Sequence, residues 1–417
     1  MIKIYKKEDC CGCSACVHIC PKHSISFKED SEGFLYPHVD LKTCVDCGLC
    51  EKVCPVLNQN DERLPLQTFA AKHRDDEVRM KSSSGGVFTL LAEQIIDAGG
   101  VVFGARFNDK WEVIHDFTDT KEGLAPFRGS KYVQSNIGES YKQVADFLKE
   151  GRKVMFTGTP CQVAGLKKYL RKDYDNLLTV DFICHGVPSP MVWRKYLDEE
   201  INRQCPNGSK AFLTGVNFRD KCTGWKTFSF VLNFNRVTQE GMREITISSI
   251  AKDNAYMDAF ISNMSLRPSC HACPAKSGVS GADITIGDFW GSEIEAADFD
   301  DEIGVSLFLI NNHRVQKSLN TNMFLKEIGY EQVLRMNSAI IVACSAHPLR
   351  NVFMRTIRVL GFRKSFFFAK SSNLFIRILR RFILLYENSN LNSTFGEKLW
   401  RNIAGLRPSA DIVKFGI

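Results

Sequence analysis

The chain contains CCGCSACVHICP at residues 10–21 and CVDCGLCEKVCP at residues 44–55, two cysteine runs with the same spacing, C-x2-C-x2-C-x3-C-P. Sixteen cysteines occur among the 417 residues, and nine of them precede residue 55. In a reducing compartment such thiols favour metal ligation over disulfide formation. Closely spaced soft thiolates suit a 4Fe–4S cluster, and a zinc site built from four cysteines is the structural alternative.

The doubled run resembles that of a bacterial two-cluster ferredoxin. In that family the fourth cysteine of each run binds the cluster of the other run. The resemblance implies one 4Fe–4S cluster on Cys10, Cys13, Cys16 and Cys54, and a second on Cys44, Cys47, Cys50 and Cys20. Cys11 lies outside the pattern, and we predict that it binds no metal.

Composition predicts a protein with a sizeable buried core and two to three domains. Hydrophobic residues make up 44% of the chain and charged residues 24%, and a domain typically holds ~150 residues. No apolar stretch approaches the ~20 residues that a membrane-spanning helix requires. The N-terminus lacks the apolar segment of a secretory signal, so we expect a cytoplasmic protein.

The pattern divides the chain into a ferredoxin-like α+β domain at residues 1–58, a linker at 59–66, a larger domain at 67–350 and a basic tail at 351–417. In the larger domain β-branched runs alternate with helical patterns, which predicts an α/β fold with a largely parallel or mixed sheet. The clearest predicted strands are Val101–Phe107, Lys153–Thr157, Leu177–Cys184, Phe228–Val237, Asp283–Ile286 and Val305–Ile310. The clearest predicted helices are Val87–Ala98, Ser140–Glu150, Gln162–Arg171 and Met191–Arg203.

Small residues precede one of these helices, in KSSSGGVFTLL at residues 81–91. They allow a ligand to approach the backbone, and the free amides at a helix N-terminus suit a phosphate group. A serine that only caps the helix is the alternative.

Four later cysteines suggest a third thiolate site. Cys161 and Cys184 lie at the ends of predicted strands, and Cys270 and Cys273 form a C-x2-C pair. Strand ends converge at one edge of an α/β sheet, so the four thiolates are candidates for a further 4Fe–4S cluster. Buried cysteines without a ligand role are the alternative. Three other cysteines show no pattern and are predicted to be structural: Cys205, Cys222 and Cys344.

Six short motifs follow one another in the larger domain: SGGVFT at 84–89, GSKY at 129–132, GTPCQ at 158–162, CHG at 184–186, CHAC at 270–273 and ADITIGD at 282–288. Together they resemble the coenzyme F-420 hydrogenase/dehydrogenase beta-subunit family over about residues 67–350. The resemblance implies an FAD-binding domain with its own 4Fe–4S cluster. On the matching positions it implies cluster ligands at Cys161, Cys184, Cys270 and Cys273, and flavin contacts at Ser84, Gly85, Gly86, Thr89 and Lys131.

Three side chains in or beside these motifs are candidates for catalysis. Lys131 would stabilise an anionic reduced flavin, whereas a lysine in an exposed turn would only be solvated. His185 would relay a proton or orient the loop that carries Cys184. Asp288 would act as an acid near the flavin or cap the turn at Gly287.

These features predict an iron–sulfur flavoprotein oxidoreductase that passes electrons between ferredoxin-type clusters and FAD. The flavin would react with a small substrate or with a reduced flavin- or deazaflavin-type cofactor. The hydrogenase subunit of the family lacks the ferredoxin runs, and no residue here identifies a deazaflavin pocket. A non-catalytic electron-transfer subunit that serves a partner enzyme is the first alternative, and a zinc-stabilised interaction protein is the second.

Positive charge is concentrated in the C-terminal tail. Residues 351–417 contain twelve Lys or Arg and three Asp or Glu, and residues 374–386 form an amphipathic helical pattern with Arg377, Arg380 and Arg381 beside its apolar face. This pattern favours a helix packed on the core or on a partner, with its arginines solvated, and peripheral contact with an anionic membrane is the alternative. The remaining chain is slightly acidic and carries no recognition motif, so we expect no nucleic-acid partner.

Overall fold

The computed structural model describes residues 1–205, 209–239, 241–316, 323–371, 377–378 and 381. Its N-terminal region is a small α+β unit in which a short helix begins inside each cysteine run. The elements are α1 Ala15–His18, β1 Ile25–Glu29, β2 Leu35–Val39 and α2 Leu49–Lys52. Strands β1 and β2 form an antiparallel pair.

The two cysteine runs have the same backbone geometry. Ser14 and Gly48 both have φ 72°, and each stands directly before its short helix. Gly12 and Asp46, which occupy matching positions between the first two cysteines of each run, are also left-handed. The two runs therefore share left-handed residues at the same two positions.

A mixed eight-stranded sheet forms the centre of the larger region. Its strands are β3 Gln67–His73, β4 Val101–Phe107, β5 Val113–Thr118, β6 Val154–Gly158, β7 Leu177–Phe182, β11 Ile284–Asp288, β12 Ser306–Ile310 and β13 Met323–Glu327. Their order in the sheet is β13-β3-β12-β11-β7-β6-β4-β5. Four adjacent strands, β11, β7, β6 and β4, are parallel, and the remaining pairs are antiparallel.

A second, antiparallel sheet of three strands is inserted between β7 and β11. Its strands are β8 Lys210–Asp220, β9 Ser229–Thr238 and β10 Gly241–Ile250. The helices of the larger region are α3 Asp76–Met80, α4 Val87–Asp97, α5 Ser140–Lys149, α6 Pro160–Leu170, α7 Pro190–Arg203, α8 Ala255–Ile261, α9 Ser292–Glu295, α10 His313–Gln316, α11 Tyr330–Met336, α12 Arg350–Leu360 and α13 Phe362–Lys370.

The predicted fold class, an α/β domain with a mixed sheet preceded by a small ferredoxin-like domain, is confirmed. The named strands and helices agree with the structure to within about two residues at each end. Five strands of the larger region were not among the predicted ones: β3, β5, β8, β10 and β13.

The N-terminal region shares its hydrophobic core with the larger region. Phe34, from the turn between β1 and β2, is buried in the cluster that contains Trp193 and Tyr256. Cys13 and Ala15 are buried in a second cluster beside Tyr141. Removing this apolar surface from water stabilises the contact between the two regions.

The predicted linker lies along the surface of the larger region. Asn60 Nδ2 donates a hydrogen bond of 2.9 Å to the Val279 carbonyl, and Arg63 Nε donates one of 3.0 Å to the Gly278 carbonyl. The backbone amide of Arg63 also donates to the Ser277 carbonyl, at 3.0 Å. These bonds fix the path of the chain between the two regions.

The start of the predicted tail forms α12 and α13, which pack on the core through Phe353, Ile357 and Phe362. The amphipathic pattern at residues 374–386 lies outside the described residues except for positions 377, 378 and 381. In the part of the chain that the structure describes, no helix is long and apolar enough to cross a bilayer.

Candidate functional site

The eight cysteines of the two runs line two separate cavities. The outer ferredoxin cavity is lined by Cys20, Cys44, Cys47 and Cys50. The inner ferredoxin cavity is lined by Cys10, Cys13, Cys16 and Cys54. Each cavity takes three thiols from one run and the fourth from the other run. This grouping agrees with the crossed ligand sets that the sequence predicts, and ligation itself stays a prediction.

The thiols of these two cavities are partly desolvated and receive backbone hydrogen bonds. The amide of Ile2 donates to Cys50 Sγ at 3.2 Å, and the amide of Ser24 donates to Cys20 Sγ at 3.3 Å. Burial raises the pKa of the Cys16 and Cys54 thiols. Amide donors to sulfur stabilise the electron-rich thiolates of an iron–sulfur cluster.

A third cavity, the core thiol cavity, is lined by Cys161, Cys184, Cys270 and Cys273, with Cys11 at its wall. Local sequence explains the position of Cys161: Gly158 ends β6, Thr159 caps α6, and Cys161 lies in the first helical turn. The Thr159 amide donates to Gln162 Oε1 at 3.0 Å, which holds this turn in place. Cys184 lies two residues beyond β7 rather than at its last residue.

The four thiols of the core thiol cavity influence one another electrostatically. A hydrogen bond that the Cys161 thiol donates to Cys11, and then burial, raise the pKa of Cys161, and burial raises the pKa of Cys270 to about 12. Burial and the nearby Cys270 charge raise the pKa of Cys184. Thiolates gathered here require positive charge beside them, and this donor set fits the iron of a 4Fe–4S cluster. Among the described residues, no group of three or more His, Cys, Asp or Glu side chains is close enough together to hold a single metal ion.

Two cysteines without a sequence pattern lie beside this cavity. Cys11 is only 5% exposed and lines both the inner ferredoxin cavity and the core thiol cavity. Its thiol interacts with Cys13 on one side and with Cys161 on the other, so it stands between two candidate cluster sites. Cys344 Sγ lies 3.8 Å from the Cys270 carbonyl and 3.8 Å from His271 Nδ1.

The serine-rich segment before α4 is held by Ser306, the first residue of strand β12, and by Val305, which precedes that strand. Ser84 Oγ donates to the Val305 carbonyl at 2.7 Å, and the Gly85 amide donates to Ser306 Oγ at 2.8 Å. The residue at the N-cap of α4 is Gly86, in a left-handed conformation, so no side chain caps this helix. The alternative in which a serine caps this helix is therefore wrong.

Positive side chains surround this segment and form what we call the cationic cradle, comprising Arg128, Lys131, Arg219 and Lys221. Lys131 Nζ donates to the carbonyls of Arg128 and Gly129, at 2.8 and 3.1 Å. Lys131 is half-buried and bound to two carbonyls rather than extended into solvent, and burial lowers its pKa to about 7. Its role beside a flavin stays a prediction. Lys221 Nζ donates to the Ser84 carbonyl at 2.9 Å.

The remaining cradle contacts involve Thr89 and Ser83. Arg128 Nε donates to Thr89 Oγ1 at 3.2 Å. The amide of Ser130 donates to Ser83 Oγ at 2.8 Å, which joins the GSKY motif to the serine-rich segment. Two arginines and two lysines thus lie beside the first turn of α4. Burial lowers the pKa of both lysines to about 7, and an anionic cofactor such as a dinucleotide would stabilise their charged forms.

Asp288 is joined to the cationic cradle through Arg219. Its Oδ2 accepts a bond of 2.6 Å from Arg219 Nη1, and Arg219 Nη2 donates to the Ser83 carbonyl at 3.4 Å. Burial lowers the pKa of Arg219, but the Asp288 carboxylate more than offsets this and raises it. The Arg219 guanidinium also lies 5.3 Å from the centre of the Trp290 ring.

His185 lies at the core thiol cavity rather than in the cationic cradle. Its Nε2 is 2.6 Å from Asn263 Oδ1, and burial lowers its pKa. Its ring packs edge-on against Phe260, with 5.3 Å between ring centres, and Tyr132 stacks on Phe260 at 4.5 Å. Because Tyr132 directly follows Lys131, this aromatic layer connects the cradle with the cavity.

Sequence reasoning missed several charged and polar residues around these sites. Arg267 donates to the Cys10 carbonyl and Gln134 to the Cys11 carbonyl. Arg219 joins Asp288 to Ser83. Lys276 Nζ donates to the Cys184 carbonyl at 2.7 Å. Their positions near cysteine or glycine motifs were the only available signal, since they belong to no motif themselves.

The fold and the three thiol-lined cavities define an iron–sulfur redox protein with a ferredoxin-type domain in front of an α/β domain. Residues 9–58 match the family model of a 4Fe–4S dicluster domain. Residues 68–141 and 151–332 match the N-terminal and C-terminal models of the coenzyme F-420 hydrogenase/dehydrogenase beta subunit. The chain therefore belongs to the coenzyme F-420 hydrogenase/dehydrogenase beta-subunit family.

Individual relatives are distant. An uncharacterised protein of Methanocaldococcus jannaschii is 24% identical over 204 residues, which is 42% of this chain and 56% of that protein. A component of the F(420)H(2) dehydrogenase of Methanosarcina mazei is 22% identical over 196 residues, which is 44% of this chain and 55% of that protein. The chain thus spans about half the length of these curated relatives.

Two further similarities concern single parts of the molecule or a solved complex. A seven-iron ferredoxin of Hydrogenibacillus schlegelii is 41% identical over 51 residues, which is 12% of this chain and 59% of that protein. A chain of the F-420-reducing nickel–iron hydrogenase complex of Methanosarcina barkeri aligns with a TM-score of 0.41 and 20% identity. The alignment covers 66% of this chain and 89% of that chain.

Proposed function

We propose that the protein is an oxidoreductase that passes electrons between two ferredoxin-type clusters, a third 4Fe–4S cluster and FAD. The observation that carries the proposal is the presence of three thiol-lined cavities. Cys11 lines both the inner ferredoxin cavity and the core thiol cavity, so these two are adjacent. Redox centres transfer electrons efficiently only when they are close, and shared wall residues keep the inner two sites adjacent.

The residues of the chain have separate roles in this proposal. When bound, the clusters carry single electrons and FAD exchanges electron pairs, so the flavin couples one-electron to two-electron chemistry. Cys161, Cys184, Cys270 and Cys273 hold the third cluster. Ser84, Gly85, Gly86, Thr89 and Lys131 border the flavin, and the cationic cradle balances its negative charge.

Three side chains would act on protons and charge: Lys131 and Asp288 beside the flavin, and His185 at the core thiol cavity. Lys131 is held by two carbonyls and its lowered pKa of about 7 allows it to give up a proton near neutral pH. Asp288 Oδ2 accepts a hydrogen bond of 2.6 Å from Arg219 Nη1, which fixes the position of its carboxyl group. His185, which burial keeps neutral, is placed to accept a proton at the core thiol cavity. The substrate is a small molecule or a reduced flavin- or deazaflavin-type cofactor.

A second candidate function is electron transfer to a partner enzyme without independent catalysis. The exposed Cys47 at the outer ferredoxin cavity favours it, because a redox partner can approach a cluster there directly. An enzyme would turn over a small acceptor or donor alone, whereas an adaptor would do so only after its partner is added.

The test is to purify the protein anaerobically and to measure iron, acid-labile sulfide and released flavin on the same sample. Three clusters predict about twelve iron and twelve sulfide per chain, together with one FAD. Cys161→Ser is expected to remove about four iron, and Cys222→Ser, at an exposed thiol outside the cavities, is the matched control. Eight iron without flavin, unchanged in Cys161→Ser, would refute the third cluster and the flavoprotein assignment.

A further inference from the structure

The Arg267 side chain is completely buried, with 0% exposure, and its guanidinium lies against the first cysteine of the chain. Its Nε donates to the Cys10 carbonyl at 2.8 Å, and its Nη2 lies 3.6 Å from Cys10 Sγ. The same Nη2 donates to the Leu35 carbonyl at 3.0 Å, and Nη1 donates to Gln134 Oε1 at 3.0 Å. Arg267 therefore holds a ligand position of the inner ferredoxin cavity from the side of the larger domain.

The backbone of Arg267 belongs to the other thiol site. Its carbonyl accepts the Cys270 amide at 2.9 Å, and its own amide donates to the Val187 carbonyl at 3.0 Å. The positive charge of Arg267 also lowers the pKa of the Cys161 thiol, against the larger effects that raise it. One residue thus contacts the inner ferredoxin cavity with its side chain and the core thiol cavity with its main chain.

The charge of Arg267 is not balanced by the groups it contacts. Its hydrogen-bond acceptors are two backbone carbonyls, one side-chain amide and one thiol, and none of them is a carboxylate. The guanidinium also lies 4.4 Å from the centre of the Tyr36 ring. A desolvated cation is costly unless a negative charge lies beside it, and cluster-bound thiolates supply such a charge.

The outer ferredoxin cavity has a different electrostatic environment. Among its lining residues, the Met1 ammonium lies 2.8 Å from both Asp46 and Glu51, so two carboxylates neutralise it. Lys22, another lining residue, is exposed and therefore screened by water. The two halves of the repeated motif are alike in thiol spacing but differ in nearby uncompensated charge.

We propose that Arg267 raises the reduction potential of the inner ferredoxin site above that of the outer site. This inference rests on the proposed function, because it requires both sites to hold clusters. Reduction adds one negative charge to a cluster, and a fixed cation a few ångströms away in a medium of low permittivity favours the reduced form. The step is a transfer of one electron that oxidises the outer site and reduces the inner site, without bond formation or proton transfer.

Arg267 is a positioning residue in this proposal, and the readout is the midpoint potential of each site. Potentials are measured by redox titration with electron paramagnetic resonance on the anaerobically purified full chain. Cys47→Ser and Cys16→Ser assign the outer and inner signals. Arg267→Met is expected to shift the electron equilibrium between the two sites at least tenfold toward the outer site, which corresponds to about 59 mV for one electron. Arg267→Lys, which keeps the charge, is expected to retain most of the wild-type difference.

Arg350→Met is the matched control. Arg350 is also a buried arginine at this interface and donates to the Leu266 carbonyl, but Glu32 neutralises it at 2.7 Å. We expect Arg350→Met to leave the electron equilibrium between the two sites within twofold of wild type. If Arg267→Met does not fold, Arg267→Gln decides the question, with the same direction of shift expected.

Iron analysis separates failure of this inference from failure of the proposed function. Eight or more iron per chain with unchanged inner and outer potentials in the uncharged variants would overturn the role of Arg267 alone. An equal shift in Arg350→Met would also overturn it, because the effect would then come from loosening the interface. Absence of iron and sulfide from the wild-type chain would overturn the proposed function, and this inference with it.

Discussion

Replacing Gly12 with alanine tests how tightly the larger domain holds the first cysteine run. Gly12 has φ +72°, and a Cβ built there would lie 2.8 Å from Gln134 Nε2 and 2.9 Å from Arg267 Nη1. A left-handed conformation costs a residue with a Cβ about 1–2 kcal/mol. Displacing the amide and the guanidinium disturbs two buried hydrogen bonds, at about 1–3 kcal/mol each. We expect Gly12→Ala to lower the free energy of unfolding by about 3 kcal/mol or more.

Gly48→Ala is the control for backbone strain, because Gly48 also has φ +72° but its added Cβ would meet only Glu51 Oε2, at 4.0 Å. Gly48→Ala should therefore lower the free energy of unfolding only by the cost of the left-handed backbone, about 1–2 kcal/mol. Anaerobic urea unfolding, followed by cluster absorbance and tryptophan fluorescence, measures both variants. Equal destabilisation would mean that Gln134 and Arg267 move aside at no cost, and it would refute the reasoning.

Two further predictions concern titration and cofactor retention. His115 is buried, with Nε2 3.0 Å from the Thr157 carbonyl, and burial lowers its pKa to about 4. With an unfolded value near ~6.5, the protein should lose up to about 3 kcal/mol of stability as the pH falls from 6.5 toward 4. His115→Gln should flatten that dependence in a pH series of unfolding free energies, and parallel curves for the two proteins would contradict it. Lys131→Gln should weaken FAD binding at least tenfold in a fluorescence titration, with exposed Lys142→Gln as the control; equal affinities would exclude Lys131 from the flavin site.

Two of the strands that sequence reasoning found stand out as largely apolar, mostly buried runs. Val101–Phe107 and Ser306–Ile310 lie within the central sheet, so β-branched and aromatic residues fill them. Strand β10, Gly241–Ile250, was missed because it is an exposed edge strand rich in polar residues. Strand β3 was missed because its buried positions include two alanines, Ala70 and Ala71, which give little strand signal.

The candidate sites were predictable where the chemistry depends on local spacing. Cysteines three residues apart approach one another in any compact loop, so three thiols of each ferredoxin cavity follow from the run itself. The fourth thiol of each cavity comes from the other run, and it was predicted only through the resemblance to two-cluster ferredoxins. Arg267 lies 257 residues from Cys10, and no local pattern connects them. Asp288 was selected from its motif, but its partner Arg219 comes from the inserted sheet, whose position depends on the whole fold. Long-range polar contacts of this kind require the tertiary structure.

The asymmetry of the repeated motif indicates how the molecule uses its two ferredoxin sites. Cys11 and Val45 occupy the same position in the two runs, yet Cys11 is 5% exposed whereas Val45 is 59% exposed. The larger domain covers the first run, where a glycine and a small thiol let Arg267 and Gln134 approach the backbone. The second run stays at the surface, with Cys47 exposed. Identical spacing is thus combined with opposite burial. In the proposed function, the outer site would therefore face a redox partner and the inner site would face the core of the larger domain.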